Sequence, residues 1–495
     1  MNRNLKSTLL ILIAALFALS AFSCASGTPD ETTAAVVTGS PDDTGEATAE
    51  VTTGYLDHIS ETFGGETVRI LYWSDRENPE YFAEQLTGAE VNDAIYRRNA
   101  KIESKLEVEL DFHGEPGNSS KANDWLALVK RLDQAGAEEA YDIISAHSRS
   151  IGLCAYNGLT RDVSSLGSID LSKPWWPSLL TQTCLINNQI HFISGDISTN
   201  MLYMMYAVFY NKDLLTSLNI EDPIDDVRAE TWTIDRMLTL AKDVYSDSDA
   251  DSVKSVGDRF GIVSSLLHCD ALLYGSDIVG VENDGGRLAL SESFTGERMQ
   301  NLIEMIASGF AGSQDGFIGS GYKNIFKNGQ SLFIIDRCDI AINDLDEKNF
   351  DKLSILPAPK YDVDQESYRT AIGNPFSLYA VPRNANNPEM SAAFLEVSAA
   401  ESYTEVTPVI FEISMKIRYA SDSNDSYCYD LIRAGAVYDP SRIFWKVFSS
   451  YGKAPDTLFQ EQLEKGAAGW SGIVANNQKV LKSTIQKINK AFGLN

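Results

Sequence analysis

The strongest constraint on the fold is the alternation of two apolar periods along residues 68–146. Val68-Arg69-Ile70-Leu71-Tyr72-Trp73 reads as a strand, and Val91, Ile95, Ile102 and Leu106 then fall on one helical face. Glu107 to Phe112 alternates as a strand does, Trp125, Leu126, Val129 and Leu132 mark a second helix, and Tyr141 to Ala146 a third strand. Strands alternating with helices predict an α/β domain with a largely parallel sheet. Ligands of such sheets bind beyond the carboxyl ends of the strands. Those ends are the Trp73–Arg76 loop and the loop His147-Ser148-Arg149.

The later pattern is of the same kind. Met201 to Tyr210 is an apolar run too short to span a membrane, and it reads as a buried strand leading into a helix capped by Asn211. At Thr231-Trp232-Thr233, Thr233 is placed to cap a helix and Trp232 to staple onto Met237. Gly329 to Ile335, Leu353 to Pro359 and Ser377 to Pro382 read as further strands, and Ala393, Phe394, Val397 and Ala400 as a helical face after Asn387-Pro388.

A chain of 495 residues suggests two domains. Its net charge of -28, with 41 Lys+Arg against 69 Asp+Glu, argues against nucleic acid as a partner, because phosphate binding needs clustered cations. Cys154, Cys184, Cys269, Cys338 and Cys428 show no CxxC spacing, so buried apolar thiols are expected and a structural zinc is not.

Residues 1–23 have the anatomy of a secretory signal peptide: Arg3 and Lys6, an apolar run to Ala21, then small residues at Ala21 and Ser23 before Cys24. Cys24 resembles a bacterial lipobox cysteine that would be lipidated. Residues 24–65 are rich in Thr, Ala, Gly, Ser, Asp and Glu and read as a disordered acidic leash.

Several pieces in this order resemble the extracellular solute-binding proteins of family 1, the maltose-binding-protein-like group that serves ABC importers. They are Tyr210-Asn211-Lys212-Asp213-Leu214-Leu215, Thr231-Trp232-Thr233, Gly329-Gln330, Leu356-Pro357-Ala358-Pro359, Tyr379-Ala380-Val381-Pro382 and Asn387-Pro388. The resemblance covers about residues 66–495, and Ala399 to Tyr403 with Val406-Thr407-Pro408 is similar to a subgroup of lipoproteins from anaerobic Gram-positive bacteria. It implies a two-lobed periplasmic-binding-protein-like (type II) fold with an interlobe ligand cleft. Chain crossings are expected near Met205, Phe333 and Ala400, giving a first lobe of 66–205 and 334–400 and a second of 206–333 and 401–495.

Candidate ligand contacts follow from the strand ends. Trp73 offers a ring to sugar C–H groups, and Asp75 and Arg76 offer forks to hydroxyls; the competing reading is a core tryptophan beside a solvated loop. His147 and Ser148 follow the third strand, and Asp196 precedes the first crossing, where a structural loop is the competing role. Asn374 and Phe376 precede a strand and are expected to face the interlobe space. Trp445, with Arg442, is the best stacking candidate from the second lobe, at a place similar to where sugar-binding relatives keep an aromatic residue. Trp175 and Trp176 read as packing of an irregular loop. Asp247, Asp249, Asp251 and Asp258 have the spacing of an EF-hand calcium loop but with Ser252 for Gly and Asp for the terminal Glu. A solvated acidic turn is the alternative, and a bound calcium would be structural.

No Gly-x-Ser-x-Gly, His-Glu-x-x-His or phosphate-cradling loop occurs, and nothing selects a glycosidase carboxylate pair. The expectation is a non-enzymatic, monomeric receptor for a small solute, a sugar, that works with ABC permease subunits. It would sit on the outer face of the cytoplasmic membrane of a Gram-positive cell, anchored by lipid. The alternatives are a sensor lipoprotein signalling to a membrane kinase and a surface polysaccharide-degrading enzyme.

Overall fold

The computed structural model describes residues 54–136, 140–248, 250–343, 352–410, 423–465 and 469–495. Its strands are β1 (Glu66–Trp73), β2 (Val108–Glu115), β3 (Ile143–His147), β4 (Tyr206–Asn211), β5 (Phe260–Ser264), β6 (Val281–Asp284), β7 (Arg287–Leu290), β8 (Gly316–Ile318), β9 (Ser331–Arg337), β10 (Leu353–Leu356), β11 (Thr370–Ala371), β12 (Ser377–Ala380) and β13 (Ala436–Val437).

The first sheet has the order β12-β3-β1-β2, and β1 runs parallel to both β2 and β3. Helix Glu90–Leu106 joins β1 to β2 and buries Ala94, Ile95, Ile102 and Leu106, much of the face read from the sequence. It stops where Glu107 turns left-handed at φ 51°, and β2 starts on the next residue. β12 pairs antiparallel with β3, setting Ser377 opposite His147. The second sheet has the order β10-β4-β9-β5-β8, with β5 parallel to β8 and β9 and with β4 antiparallel to β9 and β10. Each sheet is the centre of one α/β lobe, so the fold is the two-lobed periplasmic-binding-protein-like one.

The helix starts behave as their sequences dictate. Asn211 accepts from the Leu214 N–H and Thr233 from the Arg236 N–H, each satisfying a donor that a helix end leaves free. Trp232 and Met237 are both fully buried, and the Trp232 indole N–H donates to the Pro357 carbonyl at 2.9 Å. The first half of the Met201–Tyr210 run differs from expectation: Thr199–Tyr203 is a short helix and only Tyr206–Asn211 is strand. Every residue of both pieces is buried, so an unbroken apolar run fits either conformation and period alone does not decide.

The chain passes between lobes at three places. The first is Met204-Met205, directly before β4. The second is Ile372 to Phe376, between β11 and β12, and it corrects the crossing expected near Phe333. Phe333 lies inside β9, and β9 and β10 both belong to the second sheet, so residues 334–356, with the exception of those not described, stay with that lobe. These two crossings lie side by side: Met205 bridges Ile372, and the Gly373 N–H donates to the Met204 carbonyl at 2.7 Å. The third lies beyond the expected Ala400: Ser402–Val406 still packs with helix Pro388–Glu401 on helix Glu90–Leu106, and Ser423–Ala434 packs on β10 of the second sheet.

The leash boundary at residue 65 also moves. Leu56 and Ile59 are buried, the Tyr55 hydroxyl donates to Glu401 at 2.6 Å, and His58 lies 3.0 Å from Glu396. The chain from Gly54 onward is therefore a strap packed on helix Pro388–Glu401, to which each buried aliphatic side chain contributes about 1.5–3 kcal/mol. Cys154, Cys184, Cys269, Cys338 and Cys428 are all buried.

Candidate functional site

The loops beyond β1 and β3 meet the second lobe along a polar seam. Helix Ser148–Tyr156 of the first lobe packs on helices Pro440–Ile443 and Trp445–Tyr451. The approach is so close that a Cβ on Gly152 would lie 2.5 Å from the Ile443 carbonyl oxygen.

Trp73 is 1% exposed; its indole N–H donates to Ser377 Oγ at 2.9 Å, and its ring meets His147 edge-on at 5.7 Å. It holds β1, β3 and β12 together and presents no open face. Asp75 is exposed and accepts from the backbone N–H groups of Gly117 and Asn118, which ties the loop after β1 to the loop after β2. Arg76 lies over the rings of Tyr72 and Tyr81 at 5.3 and 5.1 Å. His147 is buried and its Nδ1 accepts from the Arg149 N–H; burial holds its pKa well below the usual value, so the ring is neutral. Ser148 donates to the Asn374 carbonyl at 2.7 Å, and its backbone N–H to the Phe376 carbonyl at 2.9 Å, fastening the end of β3 to the second crossing. Phe376 is buried and lies edge-on to Tyr438 at 6.2 Å.

Across the seam, Asn374 Oδ1 accepts from Arg442 Nε at 3.1 Å, and Arg442 Nη1 lies 3.1 Å from Asp270. Gln460 donates to the other Asp270 oxygen at 2.8 Å. Arg149 comes from the first lobe, 3.5 Å from Asp456 and 4.3 Å above the half-buried Trp445 ring. Trp445 is oriented by its own N–H, which donates to Thr457 at 3.1 Å. Burial pushes the Asp270 carboxyl up to about 7, opposed by Arg442 and reinforced by Asp456. A second ion pair spans the lobes where Arg337, at the end of β9, meets Glu77 at 3.4 Å; Arg337 also meets Asp339 at 3.1 Å. Burial raises Asp339 to about 6, against the pull of Arg337.

Four buried polar atoms here have no hydrogen-bond partner: Arg149 Nε, Arg442 Nη2, Arg337 Nε and Asp339 Oδ1. Buried donors are nearly always paired, so such a set is where a ligand's oxygens would complete the network. The chemistry on offer is planar guanidinium, carboxylate and amide groups beside one indole face, which suits a hydroxylated ligand.

Asp196 stands apart from this seam. It lines a cavity of about 610 Å³ together with Trp176, Met201, Met205, Ile372 and Tyr438, and its Oδ1 accepts from Thr407 at 2.6 Å and from Arg433 at 3.1 Å. Of the candidate residues, the structure brings Arg442, Asn374, Ser148, His147 and Trp445 into one cluster, while Trp73, Asp75 and Arg76 support its wall.

Each described carboxylate of the acidic loop accepts a backbone bond, and Asp247 Oδ1 is buried without a partner. Asp258 is fully buried and accepts from the N–H groups of Ser248 and Ser255 and from the Tyr245 hydroxyl. Asp247 accepts from the Ser252 N–H and Asp251 from the Val253 N–H. Asp249 and Cys24 lie outside the described residues. Among the described residues no three His, Cys, Asp or Glu side chains assemble as metal ligands.

Asp270, Asp456, Gln460, Glu77 and Arg337 escape sequence reasoning. Asp456 follows Pro455 at a helix start and reads as a first-turn acid, and Asp270 lies 172 positions from the arginine it pairs with.

No protein-family model and no curated protein matches the chain. The fold is similar to solved structures at low identity. The galacto-N-biose-/lacto-N-biose I-binding protein of the ABC transporter from Bifidobacterium longum, in complex with lacto-N-biose, aligns with TM-score 0.56 and 11% identity over 86% of this chain and 99% of that one. A cyclo/maltodextrin-binding protein complexed with maltotetraose gives 0.55 and 12% over 85% and 98%. The GacH receptor of Streptomyces glaucescens GLA.O, studied unliganded and with acarbose, gives 0.52 and 13% over 85% and 99%.

Proposed function

We propose that this protein is a receptor that captures a small solute, an oligosaccharide, between its two lobes and delivers it to the permease of an ABC importer. The observation that carries the reading is the seam itself. Arg149, Arg442, Asn374, Asp270 and Asp456 meet at the carboxyl ends of the strands, beside the face of Trp445, with guanidinium donors left unpaired. A saccharide matches this surface group by group: its hydroxyls accept from guanidinium N–H and donate to carboxylate oxygen, and its C–H face stacks on indole.

The three similar structures support the reading in kind, since each is described as a receptor or binding protein with a bound saccharide or acarbose. Lobe opening about the paired crossings would part Arg149 from the Trp445 face that it covers at 4.3 Å and admit the solute there. Lipidation of Cys24 and tethering to the outer face of the cytoplasmic membrane complete the proposal. In that arrangement the strap from Gly54 is where the tether meets the folded chain.

The test is a panel of oligosaccharides titrated into the full-length protein, followed by melting temperature and tryptophan fluorescence, with the sugars recovered and sized afterwards. A receptor shifts both signals for at least one member and returns it intact. Shortened products would assign an enzyme, and an unresponsive protein across the panel would remove the saccharide.

A further inference from the structure

Resting on the receptor reading, the second inference concerns which saccharides the seam prefers. We propose that the solute is a saccharide carrying an acidic group, held by the guanidinium groups of Arg149 and Arg442 beside Trp445.

Arg442 is 6% exposed, and two of its three nitrogens are used, Nε by Asn374 and Nη1 by Asp270. Its Nη2 is buried and unpartnered. Arg149 reaches Ser119 and Asp456 only at 3.4 and 3.5 Å, and its Nε is likewise buried and unpartnered. The two come from opposite lobes and face each other closely enough that each cation opposes the other's charge. Lys446 adds a third cation, 5.3 Å from the Trp445 ring and on the residue following it.

Against these three cations stand Asp456 and Asp270, with Asp439 beside Asp456 and Tyr274. The groups that face Asp270 are Arg442, Asp456 and Arg149, with the Gln460 amide and the hydroxyls of Tyr206 and Tyr274. Burial raises its carboxyl, and Arg442 and Arg149 oppose that shift. Even so, Arg149 and Arg442 oppose each other across the lobes, each with an unpartnered N–H, inside a molecule whose net charge is -28. Beyond about 8–10 Å that outer charge is screened, and the near field of the seam decides what binds there.

A neutral hydroxyl would accept from an unpartnered N–H and leave the two opposed guanidinium groups without an anion between them. A carboxylate or sulfate supplies acceptor and anion together, and it suits the planar guanidinium fork.

The experiment is calorimetric titration of the full-length protein with matched pairs: galacturonate against galactose, glucuronate against glucose and mannuronate against mannose oligomers of equal length and linkage, plus a sulfated disaccharide. The expected result is at least tenfold tighter binding of one acidic member than of its neutral partner, weakening as salt rises. Tightest binding of the sulfated sugar would assign the group as sulfate and not carboxylate. Arg149→Gln should abolish most of the preference and Arg149→Lys should keep it, a pattern that loss of folding does not produce. Arg442→Gln should act like Arg149→Gln if the variant folds. Equal or tighter binding of a neutral partner would overturn this proposal and leave the receptor reading standing. No heat from any pair would overturn both.

Discussion

The guanidinium group of Arg149 lies 4.3 Å from the centre of the Trp445 ring, and it is the point where a side chain of one lobe rests on an aromatic face of the other. A cation over an indole that is partly shielded from water contributes about 0.5–2 kcal/mol. The contact therefore ranks among the forces holding the lobes together without solute, and a solute must either displace Arg149 or use the space beside it. A double-mutant cycle of Arg149→Gln and Trp445→Ala should show a coupling energy of about 0.5–2 kcal/mol in urea unfolding. A coupling near zero would mean the lobes do not meet there in solution.

Gly152 sets a second condition on the seam. In an exposed helix interior, replacing Gly with Ala adds about 1 kcal/mol of stability through helix propensity. Here the added methyl group would sit 2.5 Å from the Ile443 carbonyl oxygen, closer than such atoms approach, and overpacking costs about 1–3 kcal/mol. The clash should win. Gly152→Ala is expected to lower the melting temperature, or to separate the lobes and raise the radius of gyration in small-angle scattering. A more stable variant of unchanged size would show that the helices do not pack as described.

The parts of this fold that sequence exposes are those decided within one element. Helix Glu90–Leu106 announces itself by Ile95, Ile102 and Leu106, and the caps Asn211 and Thr233 act within three residues. The second crossing is hidden because strand pairing is a tertiary choice: nothing local in Leu353–Leu356 says that its partner is β4, some 145 residues earlier. The site divides the same way. Position beyond a strand end brought His147, Ser148 and Asn374 into view, and resemblance brought Trp445. Whether Trp73 faces ligand or core was settled by Ser377, a residue far along the chain whose hydroxyl takes the indole N–H. Asp270 and Asp456 carry no motif, and they matter only because folding sets them beside two arginines.

Glu396 ties the strap to the first lobe. Its carboxylate is fully buried and accepts from the indole N–H groups of Trp175 and Trp176 at 3.2 and 2.9 Å and from the Asp170 N–H at 3.3 Å, and it lies 3.0 Å from His58. Glu396→Ala strands two buried indole donors, each costing about 1–3 kcal/mol, and releases His58 as well. The expected loss is about 2–5 kcal/mol in urea unfolding, with new protease cleavage within residues 54–63. Glu396→Gln keeps one acceptor oxygen and should lose less than half as much. Equal losses for the two variants would mean that filled volume, and not hydrogen bonding, is what Glu396 supplies.

Asp270 makes stability depend on pH in the direction opposite to a surface salt bridge. Its carboxyl sits at about 7 in the folded protein, pushed up by burial, whereas an unfolded aspartate titrates near 3.9. Between those values the folded state holds the extra proton, so unfolding releases it and stability falls as pH rises through the window. Full expression over about three pH units corresponds to on the order of 4 kcal/mol, and Asp339, raised to about 6, adds in the same direction. Asp93 and Asp170, whose pKa values are lowered, slope the other way, but they do so equally in a variant. The informative quantity is therefore the difference between wild type and Asp270→Asn, whose single amide oxygen still accepts from Arg442, whose NH2 faces the Gln460 amide, and which cannot titrate. Unfolding free energy measured from pH 5 to 8 should fall more steeply with pH for wild type than for the variant. Parallel profiles would show that Asp270 is ionised throughout and that the seam holds a fixed charge.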